Sequence, residues 1–421
     1  MRFPRLRSAA VFQKLGPGLV TGAADDDPSG IATYSQAGAQ FGFTLLWTMV
    51  LTFPLMVAVQ LVAARIGRVT GRGLAANMQE ILPSPVVTLL VLLLFVANTI
   101  NIGADLAAMG EGAALVLPFD ARVSTVVFAL ISLGLQIFIP YHRYARLLKW
   151  LTVVLLAYVA VVFSVKLDWG EVGRGLIQPR IEGGRAGVGL IVALFGTTIS
   201  PYLFFWQSSQ EVEEIAQHAD EHALRASPRE AKVQFARIGV DTWFGMAASN
   251  LIALAIIIST AATLHAHGIN QITTAADAAK ALRPVAGPFA FLLFSLGMIG
   301  TGLLAVPVLA GSAAYAVGES RGWKTGLENK PWEARGFYAI IGLATLLGLA
   351  INYLGLDPIK ALVWSAQVNG VIAVPIMAAM MVVASRPHLL GRFTAGRLLI
   401  ISGWIATAAM AAAVLAMFLY H

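Results

Sequence analysis

Predominantly apolar blocks separated by short polar segments make up nearly the whole chain. They fall at approximately 12–37, 43–64, 86–115, 121–140, 147–166, 187–210, 240–263, 287–316, 336–353, 358–383 and 396–419, about eleven in all. Most reach the roughly 20 residues that a membrane-crossing helix needs. The period-two alternation of barrel strands is absent from them. The pattern therefore predicts an all-α polytopic membrane protein.

Composition and charge agree with this. Hydrophobic residues are 58% of the 421 and charged residues 12%, against about 25% charged in soluble domains. Lys and Arg recur in alternate connections: Arg2, Arg5, Arg7 and Lys14; Arg65, Arg68 and Arg72; Arg143, Arg146 and Lys149 with His142; Arg225, Arg229, Lys232 and Arg237; Arg321, Lys324, Lys330 and Arg335; Arg386, Arg392 and Arg397. All lie on one side if the N-terminus is cytoplasmic, and about eleven spans then place His421 outside the cell membrane. The net charge of +7 reads as topology, with no nucleic-acid partner. The basic start before Leu15–Ala24 outlines a signal peptide, but the run is short and Gly-rich and leads straight into acids, so it is read as the first span. The chain has no cysteine, which excludes thiolate ligands and thiol catalysis. No nucleophile–base pair or phosphate loop stands out, so neither enzyme activity nor a cofactor is expected.

Two spans are interrupted. The first reads Gly16-Pro17-Gly18-Leu19-Val20-Thr21-Gly22-Ala23-Ala24-Asp25-Asp26-Asp27-Pro28-Ser29-Gly30. Proline lacks the amide proton and clashes with the preceding turn, so the helix should break here and restart with Asp27 as N-cap and Pro28 in the first turn. The second is Phe195-Gly196-Thr197-Thr198-Ile199-Ser200-Pro201-Tyr202, again with a mid-span proline. The breaks lie five spans apart, the pattern of an inverted five-plus-five repeat in one transmembrane domain spanning 1–421. The halves would be 12–166 and 187–383, with 396–419 as an extra helix. In such folds corresponding broken helices mark the substrate site.

A lone proline in a membrane helix is commonly a kink, the reading for Pro54 and Pro375. Capping alone does not account for three consecutive acids. An ionised carboxylate at the bilayer centre costs at least about 2.5–3.5 kcal/mol, and no Lys or Arg follows within the span to pair with them. A bound cation is the simplest partner. The expected ligands are Asp27, then Asp26 and Asp25, with backbone carbonyls near Ala24 and Thr197.

These residues resemble the Nramp metal transporters. The resemblance runs through Gly16-Pro17-Gly18, Asp27-Pro28, Ile31-Ala32-Thr33, Gly38-Ala39-Gln40-Phe41-Gly42-Phe43-Thr44-Leu45-Leu46-Trp47, Arg65-Ile66-Gly67 and Val69-Thr70-Gly71-Arg72, and Asp105-Leu106-Ala107 resembles the third helix. It implies a LeuT-like fold and divalent metal transport, of manganese or iron with protons. The chain also departs from the pattern. The first-helix motif Asp-Pro-Gly-Asn reads Asp27-Pro28-Ser29-Gly30, without the Asn. The sixth-helix Met-Pro-His reads Ser200-Pro201-Tyr202, with Gln207 at the second His position. Ala108 stands where the third helix has an acid, while Gln367 and Asn250 match polar positions of the tenth and seventh helices.

The departures replace soft donors with hard oxygen. Carboxylates, hydroxyls, carbonyls and water suit magnesium, calcium and manganese, and magnesium keeps several waters. The expected substrate is therefore Mg²⁺, then Mn²⁺, with Ser200, Tyr202, Asn250 and Gln367 as further candidates and protons weakly coupled or not coupled. Tyr202 has packing as its plainer role, and Gln36 and Gln40 are assigned to helix packing. Glu111 is expected to face water and 210–237 to be a solvated connector. An ordinary proton-coupled Mn²⁺/Fe²⁺ symporter is one alternative. An amino-acid or organic-cation transporter is another, disfavoured because the aspartates repel a substrate carboxylate. No obligate protein partner is inferred.

Overall fold

The computed structural model describes residues 17–139, 153–218, 221–355 and 357–419. The basic residues at 2–14 and 143–149, His142 and His421 lie outside them, as do parts of the first, fourth and fifth expected spans.

The first span is two helices, α1 (Pro17–Asp25) and α2 (Pro28–Phe41). Asp27 caps α2 from an extended backbone, φ −70° and ψ 171°, and its side chain accepts from Gly30 N, with Pro28 opening the helix. The next apolar block is α3 (Trp47–Thr70), followed by a short helix α4 (Leu74–Gln79), then α5 (Ser84–Ala114) and α6 (Ala121–Phe138). The described part of the fifth span is a 3₁₀ turn leading into α7 (Leu156–Ser164). A surface helix α8 (Trp169–Ile177) precedes the second broken span, α9 (Gly184–Thr198) and α10 (Pro201–Gln217). Ile199 and Ser200 leave the helical region at this break and Pro201 restarts it. The remaining long helices are α11 (Ala231–Thr263), α12 (Ala290–Arg321), α13 (Arg335–Ile351), α14 (Pro358–Ala384) and α15 (Arg397–Leu419). Among the described residues nine helical stretches are long and apolar enough to cross a membrane, counting α9 and α10 together. Pro54 and Pro375 sit inside continuous helices.

Burial sorts the helices by their solvent. The apolar stretch of α9–α10 is wholly buried, whereas those of α6, α13 and α15 are only 28% buried. These outer helices carry exposed Phe138, Leu130, Leu346 and Ile405, a surface that lipid tails satisfy and water does not. Helix α1 packs on α11, α9 on α14 and α5 on α12. The α1–α11 contact is glycine to glycine: a Cβ on Gly22 would collide with the Gly245 backbone, and one on Gly245 with Gly18. Only residues without side chains allow backbones this close.

One segment differs from its sequence reading. The 210–237 stretch is a buried ionic junction as well as a connector, because α10 continues to Gln217. Glu211 is fully buried and pairs with Arg237 Nη2 at 2.5 Å. The buried Arg68 pairs with Glu221 at 2.6 Å, and Gln234 donates to the other Glu221 oxygen. Burial pushes the Glu221 carboxyl up, but the bond and charge of Arg68 hold it below the usual carboxylate range.

Candidate cation site between the broken helices

The two breaks abut. A methyl group on Gly30 would lie 3.1 Å from Thr197 Oγ1 and 3.3 Å from the Asp25 carbonyl. Tyr202 Oη donates to the Ala24 carbonyl at 3.0 Å, tying the start of α10 to the end of α1. Farther along α1, the Thr21 hydroxyl meets Gln207 Oε1 at 2.5 Å. Unwinding exposes backbone carbonyls, and each has two lone pairs. Ala24 O therefore keeps one acceptor site beyond Tyr202.

Asp25, Asp26 and Asp27 are 0–2% exposed and Asp105 is fully buried. The aspartates divide by their partners. Asp27 Oδ1 accepts from Ser29 Oγ and Gly30 N, both at 2.7 Å, while Oδ2 accepts from Asn101 Nδ2 at 2.9 Å. The same Asn101 nitrogen reaches Asp105 Oδ2 at 3.3 Å. Asp25 and Asp26 turn instead to α11, where Ser249 Oγ lies 2.6 Å from Asp25 Oδ2 and 3.1 Å from Asp26 Oδ1. A hydroxyl has one proton, so Ser249 can donate to only one of them at a time. Asp25 Oδ1 and Asp105 Oδ1 have no hydrogen-bond partner among the described residues.

No Lys or Arg among the described residues forms an ion pair with any of these four acids. Buried charge without a counter-charge is strongly unfavourable. A positive ion of small radius, held by oxygen, removes that penalty. Among the described residues no three His, Asp or Glu side chains already converge as a metal site, so a cation would have to draw together carboxylates that now bond elsewhere.

The other expected ligands are spread more widely. Thr197 and Ser200 lie at the second break, with Ser200 Oγ donating back to the Gly196 and Thr197 carbonyls at 2.7 and 2.9 Å. Asn250 follows Ser249 on α11, and its buried Oδ1 has no hydrogen-bond partner among the described residues. Gln367 is engaged elsewhere, donating to the Gly189 carbonyl at 3.0 Å, about 13 Å along α9 from its broken end. Gln36 bonds Gln40 and the Ile272 amide, a packing role. Glu111 is half-buried and lines a cavity of about 200 Å³ with Arg122 and Asn352. One thioether comes near the break: a Cβ on Gly302 would collide with the Met109 sulfur and lie 3.4 Å from the Pro28 ring.

Sequence reasoning passed over Asn101, Ser249 and Ser29. Asn101 had a signal, since it lies four residues before Asp105 and so on the same helical face. The bonds of Ser249 to residues more than 220 positions away left no trace in local pattern.

Comparison with known proteins agrees with this geometry. A sequence model of the Nramp family, described as natural resistance-associated macrophage protein-like, matches residues 18–420. The chain belongs to the Nramp family. A divalent metal cation transporter MntH of Yersinia pestis is 31% identical over 297 residues, 69% of this chain and 68% of its own. One of Klebsiella pneumoniae is 27% identical over 404 residues, 94% of this chain and 91% of its own. A crystal structure of the Eremococcus coleocola manganese transporter superposes with a TM-score of 0.76 at 16% identity, covering 99% of this chain and 87% of that one. Mhp1, a nucleobase-cation-symport-1 transporter, superposes with a TM-score of 0.55 at 14% identity, covering 96% of this chain and 92% of that one. These two likenesses give the fold, the LeuT-like arrangement of an all-helical membrane protein. This Nramp chain is a multi-pass membrane transporter and not an enzyme.

Proposed function

We propose that this Nramp-family divalent metal cation transporter carries Mg²⁺ as its principal substrate and Mn²⁺ as a second, by alternating access at the paired breaks. The supporting observation is the donor set: four buried carboxylates with no Lys or Arg ion-pair partner among the described residues, surrounded by hydroxyl, amide and carbonyl oxygen. Such donors suit Mg²⁺ and Mn²⁺. Asp27 is the central ligand, with Asp26, Asp25 and the Ala24 and Thr197 carbonyls completing the site as the ion draws them in. Ser200, Tyr202 and Asn250 hold the shell around them. Uptake is driven by the membrane potential with little or no proton coupling, since Ala108, Tyr202 and Gln207 offer no group that exchanges protons near neutrality. The N-terminus is cytoplasmic in the cell membrane, following the basic connections, and 12–166 and 187–383 are the two repeats.

A carboxylate-bearing organic substrate fits poorly. The positive end of α2, where such a group would sit, is already occupied by the Asp27 carboxylate. Proton-coupled Mn²⁺ or Fe²⁺ symport is the second reading, favoured by the names of the relatives and by the Met109 sulfur beside Pro28.

The test is isothermal titration of purified protein with Mg²⁺ and with Mn²⁺, repeated on Asp27→Ala. Magnesium binding lost in the variant, with manganese binding no tighter, supports the hard-ligand site. Tight manganese binding without a magnesium signal returns the protein to the second reading.

A further inference from the structure

The geometry points to Asn101 as a further ligand of the transported cation, presenting its side-chain carbonyl oxygen from α5. This deepens the proposed cation site and rests on that reading. Asn101 is fully buried. Its Nδ2 bridges one oxygen of Asp27 and one of Asp105, at 2.9 and 3.3 Å. Two carboxylates demand donors, and that demand assigns the nitrogen to their side. The other end of the amide, Oδ1, has no hydrogen-bond partner among the described residues. A buried amide carbonyl left unsatisfied is costly.

The arrangement suits a site that exchanges an internal donor for an external ion. With no cation bound, the amide N–H groups are the shared neutralising contact between Asp27 and Asp105. A divalent ion seated on Asp27 Oδ2 takes over that task, and an N–H donor then faces a positive charge. Rotation about χ2 interchanges nitrogen and oxygen with little change in shape, and this torsion is soft. It gives up the two Nδ2 bonds, which the ion replaces, and breaks none at Oδ1 among the described residues. The carbonyl oxygen then faces the ion as a neutral hard ligand, of the kind Ca²⁺, Mg²⁺ and Mn²⁺ accept. Asn101 thereby links the first-span acids to the third span through either end of its amide.

The experiment is ion uptake by proteoliposomes of the full chain, with Mg²⁺ and Mn²⁺ as separate probes, for wild type, Asp27→Ala, Asn101→Leu and Asn101→Asp. Asn101→Leu keeps the size and removes both oxygen and donors. It is expected to raise KM at least tenfold, within the roughly 10–100-fold range typical of lost metal-site contacts, while Vmax stays within about threefold. A structural defect would lower Vmax through the amount of active protein and leave KM in place. Asn101→Asp keeps an oxygen and loses both donors, so its KM is expected at or below that of wild type. The inference is overturned if Asn101→Leu leaves KM within twofold, or if Asn101→Asp is as impaired as Asn101→Leu. If Asn101→Leu does not fold, Asn101→Asp decides: Mg²⁺ raising its Tm as much as it raises that of wild type supports the oxygen ligand, and no shift overturns it. Wild type that moves neither ion, or Asp27→Ala as active as wild type, removes the cation site itself. An inactive Asp27→Ala beside an unaffected Asn101→Leu removes only Asn101.

Discussion

At the scale of single residues, the site is defined by what its acids lack. Asp27 and Asp105 have donors of their own, Asp25 and Asp26 share the one proton of Ser249, none of the four has a Lys or Arg ion-pair partner among the described residues, and all are buried. Ser249 is the most exposed to test, because one hydroxyl stands between two carboxylates. Ser249→Ala should leave Asp25 and Asp26 with less satisfaction and cost about 1–3 kcal/mol, read as a lower Tm of the detergent-solubilised protein. Saturating Mg²⁺ should restore much of that loss, since a ligand present at 100 times its Kd contributes about 2.7 kcal/mol. An unchanged Tm without Mg²⁺ would show that the Ser249 contacts carry no stability.

At the scale of elements, the two halves of the first broken span are held by different devices. Helix α2 begins on its own side-chain cap, Asp27. The start of α1 is capped from across the fold, Asp241 of α11 accepting from Gly18 N at 2.7 Å and Leu19 N at 3.2 Å. Asp241→Ala should cost about 0.5–2 kcal/mol, the usual range for a lost N-cap, measured by thermal unfolding. Gly22 seats α1 on Gly245 of α11, so Gly22→Leu must push the two helices apart. Overpacking of this kind costs about 1–3 kcal/mol, and accessibility of a cysteine introduced at Val20 on α1 should rise in a labelling assay. Labelling equal to that of the parent would mean the α1–α11 contact does not hold α1 in place.

At the scale of the molecule, the buried ion pairs at the α10–α11 junction and the charge of the substrate make opposite demands. Glu211 is fully buried against Arg237, and removing one partner of a buried pair costs about 3–5 kcal/mol. Glu211→Ala should lower Tm sharply, and Glu211→Leu with Arg237→Met should recover most of it, since an apolar pair of similar volume needs no counter-charge. For transport, two charges crossing 100 mV gain about 4.6 kcal/mol. Mg²⁺ uptake into proteoliposomes should therefore rise steeply with an inside-negative valinomycin potential and acidify the lumen little. Uptake that requires a pH gradient would favour proton symport instead.

Sequence by itself determined the class, the two breaks and the acids. Those features are local: an apolar block of span length needs lipid wherever it lies, and Asp-Pro stops and restarts a helix through its own backbone. The cap of Asp27 and the first-turn place of Pro28 were legible for that reason. Only the tertiary structure decided how the acids are shared out, with Asp27 joined to Asp105 through Asn101 and Asp25 and Asp26 turned to Ser249. It also drew Gln367 away to Gly189 and buried the Glu211–Arg237 pair within the 210–237 connector. Hydrogen bonds and burial depend on which helices become neighbours, and packing sets that for residues as distant as Asp25 and Ser249, 224 positions apart, beyond the reach of any pattern along the chain.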